Sequence, residues 1–224
     1  GAAEGGVAVN AAAAVAAGVR AAAEVEARPL GRVEIGKITG PPGQRVPMTA
    51  AEAGVRDVLA NRDTVLGCAF VIPSKPGGGY DDAQRGPVVR AEEMLLAALE
   101  DGAGQRGVEG GVVRRIARDG PDQRGGWRVR GHARPISLTP SDEQLRNDPW
   151  GNGKWLRIQQ LGRAVEEGES IRLLCHCRQV RHVNLPGCRK CHCEPLATCI
   201  ERVAGRRRAA AMEEAARAAV NAEV

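Results

Sequence analysis

The amino-acid sequence predicts an α/β fold: a small sheet with flanking helices and a Cys-rich strand-loop-helix segment toward the carboxyl-terminal end. Two observations support this prediction. Segments that alternate or cluster apolar residues as β-strands do are interleaved with segments whose apolar residues recur at helical spacing. Ala-rich extensions lie at both ends of the chain, and they carry little side-chain surface to bury.

The composition limits the size of the core, because the 224 residues include only one Phe, one Tyr and three Trp. The net charge of +5 is compatible with a nucleotide or nucleic-acid partner. An Arg- and Ala-rich composition also follows from GC-rich codons, so the charge does not require such a partner.

No apolar run reaches the roughly 18 residues that a membrane-spanning helix needs, and we expect no membrane partner. The first 29 residues contain Glu4 and Glu24 but no Ser, so they resemble neither a signal peptide nor a transit peptide. We therefore expect an intracellular protein in a reducing compartment.

The first part of the chain is predicted to form an arm, a strand and a helix. Residues 1–32 are a low-complexity Ala-rich arm without a stable period, which indicates a frayed helix or disorder. VEIGKI at 33–38 alternates as a strand does. Thr49 and Glu52 have the spacing of a capping box, which predicts a helix over about 50–61.

A second strand and a second helix follow. The apolar run TVLGCAFVI at 64–72 predicts a strand covered on both faces. A glycine loop, KPGGGYDD at 75–82, leads to a predicted helix over about 88–100. Residues 33–118 thus form a first α/β segment, and the Gly-rich link at 120–126 is the predicted domain boundary.

Residues 127–205 are predicted to form a Cys/His-rich α/β domain. It begins with one or two strands at 127–138 and a helix start at Thr139. A further helix, which Gly168 stops, is marked by four apolar residues at helical spacing: Trp155, Ile158, Leu161 and Val165.

The end of this domain combines a strand at 170–175, a loop at 178–190 and a helix from Cys191. The apolar face of that helix comprises Leu196, Cys199, Ile200 and Val203. Residues 206–224 are predicted to be an Ala-rich C-terminal helix. Three arginines open it, and they form a solvated junction or contact phosphate.

The cysteines are concentrated in one short stretch, since six of the seven lie between 175 and 199. Disulfides would require a secreted context, for which the sequence offers no support. Two close pairs separated by a loop favour a metal site instead, with zinc as the default ion and a structural role favoured over a catalytic one. The four predicted ligands are Cys175, Cys177, Cys188 and Cys191. His192 or Cys193 could replace any of them.

Thiol chemistry is the alternative interpretation of the same stretch. Cys191 and His192 open a helix, where backbone donors and the helix dipole stabilise a thiolate. A thiolate beside an imidazole can act as a nucleophile, so Cys191 and His192 are candidate catalytic residues. Cys199 and Cys68 lie in apolar patterns typical of small core residues.

An apolar strand ending in Cys-x-Cys, followed by Cys-His at the start of an amphipathic helix, resembles domain of unknown function family four-three-two-six and the related family four-eight-eight. The resemblance covers about 129–204. It implies an α/β fold with a functional pocket at the cysteines, but no reaction. This chain differs by an insertion that carries Cys188. The matching positions are Leu173, Leu174, Cys175, Cys177, Cys191, His192, Leu196 and Ile200.

The glycine loop and the acidic helix after it are similar to the macrodomains of bacterial-type poly(ADP-ribose) glycohydrolases, although the Gln of their Gln-Glu-Glu motif is lacking. This resemblance implies an ADP-ribose hydrolase whose substrate contacts Gly77, Gly78, Gly79, Glu92 and Glu93. Two classes of function therefore remain open. One is a metal-stabilised module that binds nucleotide or nucleic acid. The other is an enzyme, either thiol-dependent or a hydrolase.

Overall fold

The computed structural model describes residues 4–39, 46–47, 52–60, 64–69, 85–101, 152–175 and 191–221. They form four helices and four strands: α1 (Glu4–Ala27), β1 (Val33–Thr39), β2 (Val46–Pro47), β3 (Val55–Leu59), α2 (Arg85–Asp101), α3 (Asn152–Glu166), β4 (Ser170–Cys175) and α4 (Cys193–Asn221).

The strands form one sheet in the order β2-β1-β4-β3. β1 and β3 both pair with β4 in parallel, while the two-residue β2 pairs antiparallel with β1. The predicted α/β fold with a small sheet and flanking helices is therefore confirmed. Because the three longer strands are parallel, their carboxyl ends meet at one edge of the sheet.

The central position of β4 explains its composition. Residues 171–175 are all buried, as expected for a parallel strand with neighbours on both sides. One of them is charged: Arg172 donates to both carboxylate oxygens of Asp57 on β3, over 2.7 and 3.0 Å. This bidentate pair satisfies the buried guanidinium and joins the two strands.

Helix α4 is the element around which the other helices pack, because it contacts α1, α2 and α3 as well as β1 and β4. It is continuous through residue 206, so the predicted C-terminal helix is the second half of α4. The three arginines at that point each bind another helix: Arg206 pairs with Glu100 of α2, Arg207 with Glu166 of α3, and Arg208 donates to the Glu26 carbonyl of α1.

Helix α1 corresponds to the Ala-rich arm, for which the sequence indicated a frayed helix or disorder. Partly buried positions recur at helical spacing along its second half: Val15, Gly18, Ala22 and Val25. Two of them, Gly18 and Ala22, are small residues. The packing of α1 against α4 thus supplies the burial that the arm lacks as an isolated segment.

The predicted helix over 50–61 is wrong, because residues 55–59 form strand β3. Gly54 has φ +83°, which interrupts a right-handed helix, and Glu52 pairs with Arg32. Thr49, the other residue of the predicted capping box, lies outside the described residues. Val58 is buried against the core, and β4 supplies hydrogen-bond partners for the strand. Pairing with β4 therefore overrides the local helical signal.

The predicted strand over 64–72 is wrong for residues 64–69, which form a turn and a bend. The Gly67 N–H donates to the Thr64 carbonyl over 3.0 Å, and the Thr64 hydroxyl donates to the Leu59 carbonyl over 3.1 Å. Leu66 and Ala69 are nevertheless buried. The apolar run thus fills the core as a folded loop, and its last residues, 70–72, lie outside the described part.

The other predicted elements within the described residues are confirmed: the strands at 33–38 and 170–175, the helix over about 88–100 and the helix that Gly168 ends with φ +94°. The predicted strands at 127–138, the helix start at Thr139 and the boundary at 120–126 lie outside the described residues. The sheet itself combines strands from both predicted α/β segments, since β4 lies between β1 and β3.

Replacing Gly162 by Ala is expected to destabilise the protein, because a Cβ there would lie 2.5 Å from Cγ1 and 2.9 Å from Cβ of Val203 on α4. We expect a loss of about 1–3 kcal/mol in the free energy of unfolding, measured by urea denaturation. Gly205→Ala on α4 is the matched control, since nothing lies within 4 Å of its Cβ position. It should stabilise by about 0.5–1 kcal/mol. Equal effects of the two substitutions would contradict close packing of α3 on α4.

Candidate metal centre

The last residue of the central strand provides the first donor of the site. Cys175 ends β4, is paired in register with Lys37 of β1, and is fully buried. Its position is at the edge of the sheet where the parallel strands end. In open α/β sheets this edge is the usual location of binding sites.

The start of α4 provides three further donors in consecutive positions: Cys191, His192 and Cys193. The Glu194 carboxylate accepts the Cys191 N–H over 3.1 Å, and the Cys193 N–H donates to Cys191 Sγ over 3.4 Å. This is the arrangement of a capping box in which a sulfur replaces the usual hydroxyl oxygen. The cap holds the three side chains at a defined helix start.

The four side chains converge on one point. The ligand atoms of Cys175, Cys191, His192 and Cys193 all lie within 4.8 Å of one another, and all four residues are buried. Cys175 Sγ lies 3.1 Å from Cys191 Sγ. Two ligands of a tetrahedral zinc ion lie about 3.3–3.8 Å apart. This compact Cys3His group could therefore hold a metal ion.

The histidine is oriented by the strand next to β4. His192 Nε2 donates to the Ala60 carbonyl over 2.7 Å, and Ala60 directly follows β3 and donates its N–H to Leu174. A carbonyl can only accept, so Nε2 is the donor in this bond, and Nδ1 is the ring nitrogen through which His192 would bind a metal ion. Backbone carbonyls commonly orient metal-binding histidines in this way.

The structure brings together two of the four predicted ligands, Cys175 and Cys191, with the two residues that were considered as replacements, His192 and Cys193. Cys177 and Cys188 lie outside the described residues. The helix begins at Cys193, so Cys191 and Cys193 lie on either side of the helix cap. This cap brings Cys193 into the group. The C-x-x-E pattern of 191–194 is the sequence signal that could have identified this cap.

Cys199 has the role of a core residue, as the sequence predicted. It is fully buried on α4 within the hydrophobic core. Burial raises the pKa of its thiol to about 11, with a smaller contribution from Glu100. A thiol with this pKa is almost entirely protonated at neutral pH and is a poor nucleophile.

A buried ion pair lies against the 64–69 loop, which follows β3 in the sequence. Lys154 of α3 and Glu92 of α2 form an ion pair in which both side chains are fully buried. Lys154 Nζ also donates to the Gly67 carbonyl over 3.1 Å, and the Ala69 N–H donates to Glu92 over 3.0 Å. The pair therefore holds the 64–69 loop against both helices. No pattern in the sequence indicated this role for Lys154.

The residues predicted to bind ADP-ribose are only partly described. Glu92 is buried, and its carboxylate already binds Lys154 and the Ala69 N–H. Glu93 is exposed and lines an open groove between α2 and α4. The groove has a volume of about 450 Å³ and is also lined by Glu194 and Arg202. Gly77, Gly78 and Gly79 lie outside the described residues.

Comparisons of the chain with protein-family models, with curated proteins and with solved structures find no match. Within the part of the chain that the structure describes, no helix has the length and apolar character needed to cross a membrane.

Proposed function

We propose that this chain is a zinc-stabilised α/β module in which one ion, bound by Cys175, Cys191, His192 and Cys193, joins the central strand to the helix that follows. The observation that carries the proposal is the convergence of four buried donor atoms within 4.8 Å. Three thiolates and one imidazole are a frequent donor set for tetrahedral zinc. Sulfur donors disfavour hard ions such as magnesium or calcium.

The number of donors supports a structural role for the ion. A catalytic zinc has three protein ligands and keeps one position open for water or substrate. Here four protein donors are available, and none of the four residues is more than 4% exposed. A structural zinc contributes on the order of 10 kcal/mol to folding, which matters in a chain with only one Phe and one Tyr.

Two further parts of the proposal depend on the sequence. The net charge of +5 supports a nucleotide or nucleic-acid partner. The Cys-x-Cys and Cys-His motifs support membership of the family of unknown function that they resemble.

A thiol-dependent enzyme is the second candidate function. The hydrogen bond from the Cys193 N–H to Cys191 Sγ favours it, because donors at a helix start stabilise a thiolate. The burial of Cys191 and His192 argues against it, since a substrate has little access to a residue that is 3% exposed. The hydrolase alternative depends on the glycine loop and Glu93.

The metal content of the purified chain tests the proposal. We expect native mass spectrometry and elemental analysis to find one zinc ion per chain. Cobalt replacement should give the absorption of a tetrahedral site with three thiolate ligands. A folded chain without metal, in which iodoacetamide rapidly modifies Cys191, would instead support the thiol enzyme.

A further inference from the structure

Cys175 and Cys191 lie close enough either to share a bound metal ion or to form a disulfide with each other. Their sulfur atoms are 3.1 Å apart, although the residues are 16 positions apart in sequence. Two sulfurs on a tetrahedral zinc ion lie about 3.8 Å apart. Those of a disulfide lie about 2.05 Å apart. The observed separation is between the two values, so small side-chain movements lead to either state.

We infer that Cys175 and Cys191 form a redox-active dithiol that a hydroperoxide oxidises to a disulfide. This inference extends the proposed function, because its metal-release step rests on the site binding zinc. It assigns to this pair a substrate class, small hydroperoxides, that can reach a buried site through local opening.

The chemistry is a two-electron oxidation. One thiolate attacks an oxygen atom of hydrogen peroxide and the O–O bond breaks, which gives a sulfenic acid and, with a proton from solvent, one water molecule. The second thiolate then attacks that sulfur, the S–O bond breaks, and the hydroxyl group takes a proton from solvent and leaves as a second water molecule. Both sulfur atoms are oxidised, and both peroxide oxygens are reduced.

The position of the pair determines the consequence for the metal. Of the four donors among the described residues, a disulfide removes two and leaves His192 and Cys193, and two donors are too few for a closed zinc site. It also joins the end of β4 to the start of α4 covalently. The oxidised chain therefore keeps the connection that the metal otherwise makes, so it can remain folded and bind metal again after reduction.

The test treats the zinc-loaded full chain, with Cys177→Ser and Cys188→Ser introduced to remove competing thiols, with hydrogen peroxide. A zinc-sensitive dye follows metal release, and intact mass and peptide mapping identify the product. We expect one zinc released per chain, a mass about 2 Da below that of the reduced, metal-free chain, and a disulfide between Cys175 and Cys191. A reductant followed by zinc should restore the original metal content.

Three results would overturn the inference: a disulfide that contains Cys193, an addition of about 32 Da that marks sulfinic acid, or retention of zinc at peroxide levels that oxidise exposed thiols. Cys199 serves as an internal control that should stay unmodified, because burial raises its pKa to about 11. Cys175→Ser lacks one partner and should not form the disulfide. Mapping of the parent chain decides the matter if this variant fails to fold.

A separate arm distinguishes this inference from the proposed function. The same peroxide treatment is applied to the chain after removal of metal by a chelator. If the purified chain is found to bind no zinc and peroxide still links Cys175 to Cys191, the result supports the dithiol and contradicts the zinc module. Zinc binding without this disulfide would contradict the dithiol and leave the zinc module intact.

Discussion

Cys193→Ser should abolish tight zinc binding and destabilise the protein by on the order of 10 kcal/mol, because it removes the contribution of a structural zinc. The substitution removes one of four buried donors at the junction of β4 and α4. Ordinary domains have a total stability of about 5–15 kcal/mol, so the variant should be largely unfolded at room temperature. Circular dichroism and elemental analysis of the purified variant measure both effects.

Cys188→Ser is the control for this prediction, and Cys177→Ser is a second one. Both residues belong to the ligand set predicted from spacing and lie outside the described residues, among which four donors already converge. We therefore expect both variants to keep one zinc ion and near-normal stability. Loss of zinc in Cys188→Ser with retention in Cys193→Ser would assign the site to the spacing-based set and refute the Cys3His centre.

Lys154→Met should destabilise the protein by about 3–5 kcal/mol, because it leaves the carboxylate of Glu92 buried without its counter-ion. Both side chains of the pair are fully buried, so water cannot replace the lost partner. The Gly67 carbonyl also loses a donor. Urea denaturation of the zinc-loaded protein measures the change.

Two further variants show whether the effect comes from the unpaired charge. Combining Lys154→Met with Glu92→Gln removes both charges, and the amide can still accept from Ala69, so most of the stability should return. Arg163→Met breaks an exposed i,i+4 pair with Glu167 on the same helix and should cost less than about 0.5 kcal/mol. If Lys154→Met costs no more than Arg163→Met, the buried pair contributes nothing to stability.

The successes and failures of the sequence predictions have a common cause. α2, α3 and the first turns of α4 bury a face whose period is visible in the sequence, and β4 is a short, mostly apolar run; the structure confirms these elements. The helix predicted over 50–61 and the strand predicted over 64–72 are wrong. In both segments the backbone partners come from distant residues: β4 for 55–59, and Lys154 with Glu92 for the loop.

By itself, the sequence determined the fold class, the concentration of thiols near β4 and α4, and two of the four donors, Cys175 and Cys191. These depend on local period and spacing, which a linear pattern records. Only the tertiary structure decided that Cys193 and His192 complete the group and that Glu92 is buried against Lys154. The reason is that donor convergence and charge burial depend on how the strand end, the helix cap and the neighbouring helices meet in space.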